Sequence, residues 1–107
     1  MAITTVRQSS ILGRMNMVLP HQNYPNPFNP TTTIAFDLPV ASSVELTVYN
    51  IAGQKVKTLL DEYRKAGSHE LTWNGASATG QAVSSGLYFY RINAGEETAT
   101  GKMILMK

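Results

Sequence analysis

Cysteine is absent from the 107 residues, so disulfides and thiolate metal sites are excluded and packing alone must hold the fold. Histidine is nearly absent. His21 lies in a proline-rich stretch and His69 in an alternating run, and neither sits in a metal-ligand or triad string. No catalytic residue, metal ligand or cofactor is therefore assigned, and the chain is not expected to be an enzyme. The adjacent carboxylates Asp61-Glu62 and Glu96-Glu97 are read as solvated pairs at turns, because neighbouring strand residues face opposite ways and make poor acid and base partners. An excess of either charge is also missing. Nine Lys and Arg stand against seven Asp and Glu, a net +2, and the basic residues are spread along the chain, whereas a nucleic-acid surface needs a dense stripe. No apolar run approaches the roughly 20 residues of a membrane span. Met1 to Val6 is followed by no apolar core of an export signal, so if the protein is exported this chain is expected to be either a piece of a longer precursor or a chain whose signal was left out.

What is present is the composition of one globular domain. Hydrophobic residues make up 43% and charged residues 15%, which argues against disorder in the main body. Residues 1 to 18 are weakly patterned and read as a linker, a tag or a loosely attached edge strand, with the folded domain expected over residues 19 to 107. Three prolines, Pro25, Pro27 and Pro30, fall within six positions and fix φ, making a stiff lead-in from which Tyr24 and Phe28 can pack onto the body. From Thr33 the period becomes two. Ile34, Phe36 and Leu38 alternate with polar neighbours, as do Val44, Leu46 and Val48, and Asn50 to Gly53 forms a turn. A third strand is expected over Gln54 to Leu60 and a single helical turn over Asp61 to Ala66. His69, Leu71 and Trp73 then share one face, with Trp73 suited to the centre of a core. A short strand at Gln81 to Val83 precedes a hairpin of Leu87 to Ile92, a turn at Asn93 to Gly95, and a closing strand from Glu97 to Met106. Six or seven short strands with turns every 8 to 12 residues or so predict an all-β, immunoglobulin-like antiparallel sandwich.

These segments, taken in order, resemble the type A C-terminal sorting domain of the bacterial type IX secretion system, itself similar to the immunoglobulin-like domain of flagellar hook-capping proteins. Asn23 to Ile34 resembles the entry motif, and Val48 to Val56 the second strand and its turn. Trp73-Asn74-Gly75, Gly80 and Ser85 to Ile92 resemble the loop and penultimate strand, and Lys102 to Lys107 the terminal signature. The resemblance implies a non-catalytic address that sends an N-terminal cargo domain through the periplasm and outer membrane to the cell surface or medium. Its implied partners are the outer-membrane translocon and the surface peptidase of that system. Relatives often carry Asp in the loop after Trp, but Asn74 to Gly80 has no carboxylate. Calcium needs about six to eight oxygens, so no ion is expected there.

The residues expected to be read by the translocon are Gly86 and Tyr88 with Lys102, Met103, Ile104, Leu105, Met106 and Lys107. In the last strand Met103 and Leu105 share one face and Ile104 and Met106 the other. Such a strand is either covered on both sides or an edge whose outer side chains and free backbone groups meet a partner, including a second copy of the chain. The lead-in motif Tyr24, Pro25, Asn26, Pro27 and Phe28 either caps the sandwich or forms a stiff junction with cargo. Two other roles are open. Tyr49, Trp73, Tyr88, Phe89 and Tyr90 could form the platform of a carbohydrate- or surface-binding module, although Tyr88 and Tyr90 share a face with Ile92 and read as core, leaving Phe89 and Tyr49 outward. The other is a flagellar hook-capping scaffold, in which the domain would sit within a longer chain.

Overall fold

The computed structural model describes residues 18 to 107. Seven strands follow one another without a helix among the described residues: β1 (Leu19–Pro20), β2 (Thr32–Leu38), β3 (Ser42–Asn50), β4 (Lys55–Arg64), β5 (Gly67–Trp73), β6 (Gly86–Ala94) and β7 (Glu97–Leu105). All named pairs are antiparallel. They form a three-stranded sheet in the order β1-β2-β5 and a four-stranded sheet in the order β4-β3-β6-β7, the two layers of the expected sandwich. The linker, tag or loose segment expected at the N-terminus lies outside the described residues except for Val18, which is buried in the core.

Period-two alternation delivers the core. Ile34, Phe36 and Leu38 of β2 face Val44, Leu46 and Val48 of β3 and Tyr88, Tyr90 and Ile92 of β6, all at most 5% exposed. Trp73 fills the centre as expected. It is wholly buried, its Nε1–H donates to the Ala76 carbonyl at 2.9 Å, and its ring meets Tyr88 edge-on at 5.3 Å. The close approach of the next loop requires glycine: Gly75 has φ +74°, and a Cβ there would lie 3.0 Å from the Pro30 carbonyl oxygen.

Three expectations are corrected. Asp61 to Ala66 forms no helical turn. β4 continues to Arg64, because Asp61, Glu62, Tyr63 and Arg64 pair with Glu45, Val44, Ser43 and Ser42. Asp61 and Glu62 are thus exposed strand residues rather than turn residues. Gln81 to Val83 contributes only the isolated bridge Ala76↔Ala82. The hairpin turn moves forward to Gly95–Glu96, since Asn93 and Ala94 still pair with Thr98 and Glu97.

Candidate functional site

The terminal strand β7 is an edge strand by sheet order, with Tyr88↔Met103 and Gly86↔Leu105 joining it to β6. Alternation divides its residues sharply. Met103 and Leu105 are 0% and 1% exposed and belong to the core, whereas Ile104 and Met106 are 42% and 56% exposed. Lys102 and Lys107 are exposed too. Tyr88 is buried, its hydroxyl donating to the Ser84 carbonyl at 2.6 Å, while Gly86 at the start of β6 is exposed. The outward set is therefore Gly86, Lys102, Ile104, Met106 and Lys107.

The backbone of that edge is not free at its C-terminal end. Phe28 N–H donates to the Ile104 carbonyl and Met106 N–H donates to the Phe28 carbonyl, both at 2.9 Å, a parallel bridge centred on Leu105. Two residues earlier the same pattern is made by a side chain. Asn26 Oδ1 accepts from Ile104 N–H at 3.0 Å, and Asn26 Nδ2 reaches the Lys102 carbonyl at 3.5 Å. The reason is chemical: Asn26 lies between Pro25 and Pro27, which have no N–H to offer a ladder. A primary carboxamide carries the donor and acceptor of a peptide group, so it substitutes for the missing backbone. The lead-in thus closes the edge over 102 to 106.

The lead-in is itself anchored. Tyr24 exchanges two backbone hydrogen bonds with Thr33, and the buried Asn23 donates to Thr32 Oγ1, which donates in turn to the Pro25 carbonyl. Phe28 is 2% exposed and packs tilted on Trp73 at 5.6 Å. Tyr24 is 81% exposed, contrary to the expectation that both aromatics pack. Its backbone bridge to Thr33 directs the ring outward, and Phe28 alone occupies the space beside Trp73.

A second polar cluster escaped the sequence reading. Asp37 accepts from Ser68 Oγ at 2.8 Å and lies 2.9 Å from His21 Nε2, and these two hydrogen bonds, Ser68 first, hold its carboxyl below the usual value of 3.8. The residue types are those of a hydrolase triad, but Ser68 and His21 both bond to Asp37 instead of to each other. No imidazole sits on the hydroxyl, which is held by a carboxylate whose basicity is lowered, so the cluster ties the lead-in to β2 and β5 and does not build a nucleophile. No group of three candidate metal ligands occurs among the described residues.

On the outer face of the four-stranded sheet, Tyr49 and Phe89 are half-buried neighbours. The Arg91 guanidinium lies 4.8 Å over the Tyr49 ring and donates to its hydroxyl at 2.7 Å, so the ring face that a sugar would stack on is already occupied. No described helix is long and apolar enough to cross a membrane.

Residues 22–106 match the family model described as a secretion system C-terminal sorting domain. No protein of curated function matches the sequence. Dimeric latent PorU from Porphyromonas gingivalis is similar, with a TM-score of 0.67 and 21% identity over 83% of this chain and 9% of that one. PorZ, an essential surface component of the type-IX secretion system of the same organism, gives 0.59 and 19% over 92% and 13%. FlgD from Xanthomonas campestris, a flagellar hook-capping protein, gives 0.58 and 19% over 82% and 64%. At these identities the likeness is one of fold, and the chain spans only a small part of the first two proteins.

Proposed function

The chain belongs to the family of secretion system C-terminal sorting domains, and from that membership we propose how its terminal strand is read. The domain addresses a protein through the type IX secretion system to the cell surface or medium. Its address is the outward row of β7 and the two residues that follow it: Lys102, Ile104, Met106 and Lys107, with Gly86 alongside. Met103, Leu105 and Tyr88 contribute by fixing the strand in the core, so a receptor meets their consequence and not their side chains. The single observation that carries this reading is the split of one short signature into a buried row and an exposed, apolar row ended by cations.

The mode of contact follows from the lead-in. With Asn26 and Phe28 holding the edge, a translocon component docks on side chains over 102 to 106 and does not add a strand there. Ile104 and Met106 provide apolar contact, Met106 with a side chain adaptable enough for a receptor shared by many cargoes. The outer-membrane translocon and the surface peptidase are the partners proposed, and cargo precedes the domain in the precursor. The domain itself takes no part in catalysis.

The test fuses the whole chain to a reporter in a bacterium with a working type IX system. The variant Lys102→Glu, Ile104→Ser, Met106→Ser, Lys107→Glu is expected to stay in the periplasm while retaining its β-sheet circular dichroism. Removing residues 102 to 107 altogether is a poorer test, because Met103 and Leu105 go with them and the core fails. Normal export of the folded quadruple variant rules the reading out.

A further inference from the structure

The outer face of the four-stranded sheet carries a charge arrangement that the terminal signature does not account for. Register places Lys55, Tyr49, Phe89 and Lys102 in one row across β4, β3, β6 and β7. The next row toward the C-terminal end of β7 is Leu87 and Ile104. On the other side come Thr58, Thr47, Arg91 and Thr100. Lys55, Arg91 and Lys102 are all exposed, and none has a carboxylate partner: the ion pairs among the described residues are His21–Asp37 and Arg64–Glu62.

Five of the chain's seven carboxylates lie away from this face. Asp37 and Glu70 are on the three-stranded sheet, and Glu62, Glu96 and Glu97 are at the far end of the four-stranded one. Glu45 and Asp61, in the row after Arg91, come closest on this face. Four residues of strand separate Glu45 from Tyr49, about 13 Å at roughly 3.3 Å per residue. That exceeds the Debye length of about 8 Å at physiological salt, so Lys55 and Lys102, in the row of Tyr49, are uncompensated, whereas Arg91, opposite Thr47, is only two strand residues, roughly 7 Å, from the row of Glu45.

We propose that this face, centred on Tyr49, Phe89, Arg91 and Lys102, docks an acidic, partly apolar polypeptide segment of a partner protein. Charge complementarity identifies the occupant. The half-buried Phe89 and Leu87 and the exposed Ile104 supply the apolar floor, and Lys55, Lys102 and Arg91 take carboxylates from either side. Arg91 spends one N–H on Tyr49 and keeps the rest of its planar donor set for a carboxylate. An anionic polysaccharide fits less well, because the Tyr49 ring is covered by Arg91 and offers no stacking surface. The inference rests on the charge map and shares Lys102 and Ile104 with the proposed sorting surface, from which Arg91→Gln, outside that surface, separates it.

Amide-resolved NMR titration of the whole chain with the capped hexapeptide Glu-Leu-Glu-Phe-Glu-Ser tests it. Shifts confined to Tyr49, Phe89, Arg91, Lys102 and their cross-strand neighbours are expected. Lys102→Glu or Arg91→Gln, both at exposed positions, should keep the spectrum of the folded chain and weaken binding about tenfold, the loss of one charge-assisted contact. The Lys102→Glu chain should in turn prefer the peptide with Lys in place of Glu. Equal binding of the Gln-for-Glu peptide, shifts that fall elsewhere, or shifts on this face with dextran sulfate but not with the hexapeptide would each overturn the proposal.

Discussion

Tyr90 shows how one side chain links core, lead-in and terminal strand. It lies opposite Gly101, where a Cβ would overlap the Tyr90 ring, so glycine leaves the space that the ring fills. Its hydroxyl donates to the His21 carbonyl at 3.2 Å, and burial raises its pKa above the ordinary 10.0. The sign of the linkage follows: the neutral form is favoured in the folded state, so its contribution is intact below pH 10.0 and is lost as pH rises from there through the folded value. Tyr90→Phe is expected to cost about 0.5–1.5 kcal/mol at neutral pH, one hydrogen bond, and to flatten the fall in stability above pH 10.0. Urea melts of both chains from pH 7 to 11 measure this; parallel curves above pH 10 would place the alkaline sensitivity elsewhere. Burial of Tyr90 was legible beforehand from its alternation with Ile92. Its bond to His21 was not, because no local pattern relates residues 69 apart.

In β7 the alternation of a single element decides which residues serve stability and which remain for contact. Met103→Ala should cost about 2–5 kcal/mol, as truncating a wholly buried side chain leaves a cavity. Ile104→Ser, one residue on, should stay within about 0.5 kcal/mol, since its side chain is already partly in water. Chemical denaturation of the two variants checks the contrast, and comparable losses would mean that Ile104 is covered after all. This two-faced strand could be read from period two, as could β2, β3, β6 and the hairpin. β4 was only half legible. Asp61 and Glu62 have poor strand propensity, and the pairing slips between Leu46 and Thr47 and again between Val48 and Tyr49. Strand geometry there is imposed by the partner β3, which a local reading of residues 61 to 66 does not contain.

At the scale of the whole molecule, the segment that enters the sandwich and the strand that ends it are one structure. Phe28 fills the core beside Trp73, its backbone bridges Leu105, and the Asn26 carboxamide completes the cover. Composition foretold a stiff proline lead-in but not its destination, because two aromatics flank the prolines alike and only three-dimensional space selects Phe28 over Tyr24. If the lead-in is the cover of β7, its loss should expose both an unpaired strand edge and the apolar surface around Trp73, the combination that drives edge-to-edge association. A chain beginning at Thr31 is therefore expected to dimerise or aggregate in light scattering, and the full chain to elute as a monomer. Asn26→Ala with Phe28→Ala makes the same test if the shortened chain does not fold. Tyr24→Ala, which removes an exposed ring, should leave the monomer unchanged. Monomers in every case would show that β7 keeps copies apart by its own side chains, with Lys102 and Lys107 as the natural guards, and the lead-in would then serve packing alone.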